Sequence, residues 1–352
     1  MALLATLALP ALQIHTASSA LNALPRSTPT VEAVDRIQAA FPGRAVPAVI
    51  AVNADTNSPA FEAAVAGLQS AAAATHQGYG AISVDSNQSH TVGRISIPLP
   101  GNGTDGVSTR ALLTLRGQLL PATIGKLPNV TYGVTGATAG SYDWNEMMKS
   151  SLPVVFGFVL TFAFLLLLAS FRSLVIAAKA VILNLLSVAA ALGVVVAVFQ
   201  FGWGTDVLGF TSNRSVAPWL PLFLFVILFG LSMDYHVFIL SRIKEAHDRG
   251  MSTDDAVAHG IKTTAGTVTS AAIVMVGVFS IFATLPILDM KEMGIGLASA
   301  VLIDATIVRG VLLPASMKLL GDWNWYLPGW LHWLPRLEHH AGPVAQPAPA
   351  AA

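Results

Sequence analysis

Hydrophobic positions divide the chain into two parts with different patterns. From Leu152 onward, long apolar runs follow one another at about 152–171, 174–199, 218–241, 264–285 and 293–317. Each run reaches the length of about 20 residues that an α-helix needs to cross the hydrocarbon core of a bilayer. Because a soluble core rarely needs so many such lengths in succession, the pattern predicts a polytopic α-helical membrane protein. The membrane domain is assigned to residues 151–320.

The preceding part, residues 20–150, is mixed and has turn signals between modest apolar runs. Ser58 is a good helix N-cap, and Pro59 suits the first position of a helix. The order of elements predicts a ferredoxin-like βαββαβ subdomain of the α+β class. It can equally be only a scaffold, because no residue in it has a catalytic signature. The predicted strands are Val46–Val52, Val92–Pro98 and Val130–Val134, and the predicted helices are Pro59–Ala74 and Ser108–Leu119.

Three segments lie outside these two parts. Met1–Leu9 is apolar but too short to span a bilayer. A signal peptide is disfavoured because no basic residue precedes that run, so residues 1–19 are assigned to the stub of a truncated membrane helix. Ser252–Lys262 starts like a capping box and is predicted as a surface helix between two spans. Residues 321–352 are tryptophan-rich at first and low-complexity at the end, which predicts an interfacial and then disordered tail.

Composition and charge narrow the possible functions. Apolar residues make up 54% of the chain and charged residues 11%, against about 25% charged in ordinary soluble domains. The net charge of zero gives no reason to expect a nucleic-acid partner. The sequence has no cysteine, no HExxH motif and no GxxxxGK[ST] loop. We therefore expect no cofactor, no ATP-driven motor and no enzyme activity.

Basic residues near the ends of the runs predict the orientation. The loop after Leu240 is placed in the cytoplasm, and the opposite loops then carry only Arg214 and Lys291. We therefore expect a multi-pass protein of the plasma membrane, with residues 20–150 extracytoplasmic and the C-terminus cytoplasmic. The basic residues on the cytoplasmic side are Arg172, Lys179, Arg242, Lys244, Arg249, Lys262 and Lys318.

The third apolar run contains an aspartate followed by a tyrosine, Asp234 and Tyr235. A carboxylate at this depth costs about 2.5–3.5 kcal/mol unless it is paired, hydrated or protonated, so such a residue is a functional candidate by default. Gly230 and Ser241 share its helix face, and we expect that face to lie inside the bundle, where the Tyr235 hydroxyl can bond the carboxylate. The alternative is a structural aspartate bonded to a neighbouring helix.

Other polar residues of the runs are candidates for support. Thr267 and Ser270 belong to a small-residue stripe that suits either helix packing or help with proton movement. His236 suits either interhelical hydrogen bonding or a protonation switch. Asp304 and Arg309 are five residues apart, about 140° around an α-helix. We therefore expect Asp304 to pair with another helix rather than with Arg309, and a direct part of Asp304 in proton movement stays open.

Several stretches resemble the C-terminal half of the mycobacterial-membrane-protein-large (MMPL) transporters, of the resistance-nodulation-division (RND) superfamily. They include SFRSLVIAAKAVILNLLSVAAALG, LFGLSMDYHVFILSRIKEAHDRG and LIDATIVRGVLLPASMKLLGDWNWYLP. The LSMDY and LIDATIVR blocks are specific in combination, and the matching stretches run from Leu24 to Pro328. His236 departs from the pattern, because many members have an acidic residue there.

The resemblance implies half of an RND-type fold, formed by a helix stub, a porter subdomain and the helices that follow. It also implies that Asp234 and Tyr235 act as a proton relay, with protons as the coupling ion. The expected function is proton-motive-force-driven export of lipids or other hydrophobic molecules across the plasma membrane. The expected partners are that substrate and a missing N-terminal half, or a second copy of the chain. The alternative is a non-transporting assembly or sensor protein, or an inactive truncated remnant.

Overall fold

The computed structural model of the protein describes residues 1–17, 28–40, 47–101, 103, 105–212 and 214–333. The predicted disordered stretch at 341–352 lies outside these residues. Five helices are long and apolar enough to cross a membrane, which confirms the prediction of a polytopic helical protein. We call them the first to fifth spans. They are Ala137–Phe171, Leu174–Gln200, Leu220–Asp248, Thr253–Ala283 and Leu288–Trp325.

Side-chain caps mark where two of the spans begin. The Ser173 hydroxyl accepts a hydrogen bond from the N–H of Ile176, 3.1 Å away, at the start of the second span. The Ser252 hydroxyl accepts one from the N–H of Asp255, 3.2 Å away, at the start of the fourth. The separate surface helix predicted at Ser252–Lys262 is wrong, because the helix capped by Ser252 continues without interruption into the fourth span.

Four strands form an antiparallel sheet before the first span. They are β1 (Pro47–Asn53), β2 (Ser83–Ser86), β3 (Val92–Pro98) and β4 (Thr131–Thr135), in the order β2-β3-β1-β4. The chain enters a helix at Pro59–Ala74 between β1 and β2, and another at Gly106–Thr114 between β3 and β4. The apolar pattern did not place β2, because β2 is an edge strand whose residues are all exposed.

The sheet and its helices share one apolar core. Ile50 of β1 and Ile95 of β3 are fully buried there, together with Leu68 and Leu112 of the two helices. Ser58 caps the first of these helices as predicted, since its hydroxyl accepts the N–H of Phe61 at 3.2 Å. The period-2 and helical patterns of the sequence therefore correspond to a real buried core.

The first span grows directly out of this subdomain. Gly136 follows β4 with φ of 117°, and a Cβ at that position would lie 2.6 Å from the carbonyl oxygen of Pro47. The helix that starts at Ala137 continues without a break past residue 150, the predicted end of the subdomain, to Phe171. Arg116 makes a bidentate ion pair with Asp143 of this helix, with N–O distances of 2.6 and 2.8 Å. A single helix, braced by that pair, therefore joins the sheet to the membrane domain.

The first residues of the chain pack on the second span. A short helix at Ala2–Ala8 places the Leu4 side chain in the apolar core. Gly193 of the second span allows a close approach, since a Cβ there would lie 1.8 Å from the carbonyl oxygen of Leu7. Gln200 then donates a hydrogen bond to the carbonyl of Gln13 at 2.8 Å. The N-terminal segment is thus held along the second span.

Candidate functional site

The third span turns Asp234 outward. Val226, Gly230 and Phe238, which lie one or two turns away on the same side, are exposed as well. Within the described part of the chain, no hydrogen bond or ion pair reaches the Asp234 carboxylate. The expectation that this side faces the bundle interior is therefore wrong for this chain.

Packing of the buried side of the third span explains this outward position. Leu224 is fully buried there, and it lies against Gly296 of the fifth span, where an added Cβ would be 2.8 Å from the leucine side chain. That close approach fixes the rotation of the third span and leaves Asp234 on the outer surface. A carboxylate facing lipid costs several kcal/mol, so Asp234 needs a proton, water or a partner from outside the described residues.

Tyr235 points in a different direction from Asp234, because successive side chains of an α-helix are about 100° apart. Its hydroxyl donates a long hydrogen bond to the Sδ of Met275 on the fourth span, at 3.9 Å. Its ring lies under the guanidinium of Arg309, 4.6 Å from ring centre to guanidinium carbon. The expected bond from the Tyr235 hydroxyl to the Asp234 carboxylate is therefore absent from the described structure.

Asp304 and Arg309 form a buried ion pair within the fifth span. The expectation that Asp304 pairs with another helix is thus wrong. The cause is local, because Asp304–Leu312 is a π-helix rather than an α-helix. In a π-helix each N–H bonds to the carbonyl five residues back, so residues five apart are brought one above the other. The α-helical angle used for the prediction does not apply to this segment.

Arg309 also joins the fifth span to the third. It donates hydrogen bonds to the carbonyl of Ser232 at 2.8 Å and to the hydroxyl of Ser232 at 3.2 Å. Among the described residues, Oδ1 of Asp304 and Nε of Arg309 have no hydrogen-bond partner. An incompletely satisfied buried pair of this kind is sensitive to any shift of the helices around it.

The ion pair lies beside a cleft between the second, third, fourth and fifth spans. Tyr235 and Met275 line one side, and Asn184 and Ser187 of the second span contribute the polar groups opposite. Sequence patterns did not indicate Asn184, Ser187, Ser232 or Met275 as site residues. The available signal for the first two was the NLLS sequence inside an otherwise apolar run.

His236 is completely buried on the inner side of the third span. The charged groups that act on its ring are Asp304 and Arg309 of the fifth span and Lys179 of the second. Lys179 in turn donates to Oδ1 of Asn324 at 2.9 Å. His236 therefore stands between the ion pair and the end of the bundle where the first, third and fifth spans terminate.

Thr267 and Ser270 do not take part in this inner cluster. Both are exposed on the fourth span, and the Ser270 hydroxyl bonds the carbonyl of Gly266 in its own helix at 2.8 Å. The fourth span presents Val268 and Ala272 to the cleft instead. Thr267 and Ser270 thus resemble Asp234 in being turned outward, away from the Asp304–Arg309 pair.

A second buried carboxyl group, Glu292, lies near the start of the fifth span and was missed because the predicted run began after it. It is fully buried, and its Oε2 accepts the N–H of Ala217 at 2.9 Å. The neighbouring Lys291 donates to the carbonyls of Leu208 and Ala283, at 2.8 and 3.0 Å. These bonds fix the start of the fifth span against the loop that leads into the third.

Five apolar spans with an ion pair among them and a carboxylate on their outer face define a multi-pass membrane protein. The chain belongs to the MMPL family, whose family model matches residues 22–340. The resemblance seen in the sequence is therefore confirmed.

Several relatives are similar over much of this chain. It is 42% identical over 237 residues to the mycolic acid-containing lipids exporter MmpL11 of Mycolicibacterium smegmatis, covering 67% of this chain and 24% of that protein. It is 45% identical over 206 residues to the heme uptake protein MmpL11 of Mycobacterium tuberculosis, covering 58% and 21%. It is 30% identical over 320 residues to the trehalose monomycolate exporter MmpL3 of the same species, covering 87% and 33%. The chain thus spans no more than 33% of the length of these relatives.

Proposed function

We propose that this chain is part of a proton-motive-force-driven exporter of lipids or other hydrophobic molecules. It acts as the C-terminal half of an MMPL transporter, with an N-terminal half or a second copy of the chain as its partner. The names of two relatives support lipid export, since one is an exporter of mycolic acid-containing lipids and the other of trehalose monomycolate.

The observation that carries the proposal is the outward Asp234 carboxylate within the apolar zone of the third span. Because an ionised carboxylate in lipid is costly, this side of the span is stable only when it is covered or neutralised. A partner half that packs over Asp234 encloses the carboxyl group at the joint. Binding and release of a proton there then change how favourably the two halves pack.

Tyr235 gives that change a route into the rest of the bundle. A rotation of the third span that follows protonation of Asp234 also moves the Tyr235 ring, which lies 4.6 Å from Arg309. Arg309 is bonded to Ser232 of the third span and to Asp304 of the fifth. The two spans therefore move together, and Asp304, Arg309 and His236 serve as supporting residues of the relay. Thr267 and Ser270 support the relay from the outer side, at the joint with the partner.

The sheet-containing part acts as a porter subdomain of ferredoxin-like topology. The strand order β2-β3-β1-β4, with a helix after β1 and another after β3, supports that assignment. The continuous first span and the Arg116–Asp143 pair give helix movements a rigid connection to this subdomain. The hydrogen bond with Asp143 raises the pKa of Arg116.

The protein lies in the plasma membrane with the porter subdomain outside and the C-terminus in the cytoplasm. The excess of lysine and arginine where the first, third and fifth spans end supports this orientation. Arg172, Arg242 and Lys318 are at that end, whereas the opposite end has Arg214 in a loop and Lys291 in the first turn of the fifth span.

Haem is a second candidate cargo, because the 45% identical relative is named as a heme uptake protein. Haem and lipids share a large apolar surface with a polar group at one end. The direction of movement differs between the two names, so a transport assay has to follow both cargoes.

Vesicles that contain this chain assembled with an MMPL N-terminal half provide the test. A proton gradient should drive movement of a long-chain lipid, and an ionophore that collapses the gradient should stop it. Lipid movement that continues at the same rate after collapse contradicts proton coupling. Movement of haem without lipid establishes the second candidate instead.

A further inference from the structure

The segment that follows the last helix folds back under the bundle. The regular helical part of the fifth span ends at Leu320, because Gly321 has a φ of 50° that breaks the regular backbone. Two short 3-10 turns follow, at Gly321–Trp325 and Gly329–Leu331. We call residues 321–333 the terminal foot.

The inner side of the terminal foot is bonded to the ends of several spans. Asn324 is fully buried, and its amide donates to the carbonyl of Met317 at 2.7 Å while its oxygen accepts from Lys179 of the second span at 2.9 Å. The backbone carbonyl of His332 accepts a hydrogen bond from Arg172, beyond the end of the first span, at 3.1 Å. These bonds fix the position of the terminal foot relative to the bundle.

Trp325 extends the same contact to the third and fourth spans. Its indole stacks on the ring of His247, with centroids 4.3 Å apart and planes within 7° of parallel. Its Nε1–H donates to the hydroxyl of Thr253 at 3.3 Å. The polar groups on the inner side of the terminal foot are therefore bonded to the bundle.

The outer side is aromatic and uncovered. The side chains of Trp323, Trp330 and Trp333 are 71%, 74% and 76% exposed. The exposed apolar surface is continuous with that of the fifth span through Leu319, which is 87% exposed. So much exposed aromatic surface marks an interaction site, and tryptophan is enriched where a protein meets the headgroup region of a bilayer.

We propose that the outer side of the terminal foot lies in the phospholipid headgroup region, at the bilayer face where the fifth span ends. Three observations select lipid over a protein partner. The aromatic surface follows directly on the fifth span, which is long enough to cross a bilayer. Lys318 is exposed beside this surface, where its ammonium group can contact lipid phosphate. The indole rings are themselves amphipathic, with an apolar ring and a polar N–H. The foot thereby ties the ends of four spans to the membrane surface.

The chain contains no cysteine, so one introduced cysteine gives a unique position for a nitroxide spin label. Spin labels at Trp323→Cys and Trp330→Cys report the depth of the terminal foot when the purified chain is reconstituted into nanodiscs. Phe158→Cys, exposed on the first span, is the lipid control, and Asp85→Cys, on the fully exposed edge strand β2, is the water control. The accessibility of the spin label to oxygen, divided by its accessibility to a water-soluble nickel complex, measures the depth of the label in the bilayer.

The proposal predicts that the accessibility ratios at 323 and 330 are several-fold above the ratio at 85 and several-fold below the ratio at 158. Ratios equal to the value at 85 overturn it, because the foot then lies in water. Low accessibility to both reagents also overturns it, because a protein or a second copy then covers the surface. The readout is depth and not transport, so a failure of the export proposal leaves this result intact.

Quenching of native tryptophan fluorescence provides a second measurement, without any label. Lipids brominated near the headgroup end of the acyl chain should quench the unmodified chain more than lipids brominated at the chain end. Replacing Trp323, Trp330 and Trp333 by Phe should remove most of that difference, whereas Trp203→Phe, in the loop after the second span, should not. An unchanged difference in the triple variant contradicts the proposal.

Discussion

Arg309 lies over the ring of Tyr235, with its guanidinium carbon 4.6 Å from the ring centre. The two residues belong to different spans. Tyr235 follows Asp234 on the third span, and Arg309 is paired with Asp304 on the fifth. This contact joins the residue next to Asp234 to the buried ion pair of the fifth span.

The contact predicts different effects for two substitutions of Tyr235. Tyr235→Phe keeps the ring under Arg309 and loses only a weak bond to the Met275 sulfur, so transport and melting temperature should change little. Tyr235→Ala removes the ring and leaves a cavity, at a cost of about 3 kcal/mol. Thermal melting in detergent and transport in vesicles measure both effects. A loss of transport in Tyr235→Phe as large as in Tyr235→Ala contradicts a role for the ring.

The buried ion pair predicts that the losses of stability caused by two single substitutions do not add up in the double variant. Asp304→Leu or Arg309→Met alone leaves an uncompensated buried charge and should destabilise the protein by about 3–5 kcal/mol. The double variant removes both charges and should recover most of that stability, yet transport should stay lost. Denaturation of all three variants gives the coupling energy. If the double variant loses as much stability as the two single variants lose in sum, Asp304 and Arg309 do not stabilise each other.

Close packing at Gly193 predicts a steric effect in the second span. Gly193→Ala should destabilise the protein by about 1–3 kcal/mol, because the new methyl group meets the backbone at Leu7. Gly157→Ala is the matched control, since an added Cβ there meets nothing within 4 Å, and it should be neutral or stabilising by up to about 1 kcal/mol. Equal melting temperatures for the two variants would show that the N-terminal helix does not pack as described.

The outward polar face predicts that this chain needs a partner. Asp234, Thr267 and Ser270 are exposed on the outer surface of the spans, and polar groups facing lipid are costly. The chain expressed alone should insert poorly and be inactive, and co-expression with an MMPL N-terminal half should restore transport. The oligomeric size of the purified protein in detergent and its transport activity in vesicles test this prediction. A monomeric lone chain that moves substrate contradicts the prediction.

The sequence predicted the number and order of the spans, because each run is long and continuously apolar. It also predicted the main strands and the Ser58 cap. The Asp304–Arg309 pair escaped prediction, since the π-helix changes which residues share a face and no sequence pattern here marks it. The outward position of Asp234 escaped it too, because helix rotation is set by contacts such as Leu224 on Gly296, which are far apart in sequence.

Glu292 shows a different limit. The apolar run that predicted the fifth span begins at residue 293, whereas the helix begins at Leu288. A charged pair at the edge of a run looks like a solvated helix end, yet Lys291 and Glu292 are both buried. Their partners, the carbonyls of Leu208 and Ala283 and the N–H of Ala217, are backbone groups that side-chain patterns do not reveal.

Proton coupling at Asp234 is tested by transport in vesicles that contain Asp234→Asn assembled with its partner half. The substitution keeps the size of the side chain but removes its titratable proton, so the protein should fold and insert while gradient-driven export is lost. Asp254→Asn, an exposed aspartate at the start of the fourth span, is the matched control and should transport normally. Export at the wild-type rate in Asp234→Asn would contradict the central claim that this carboxyl group carries the coupling proton.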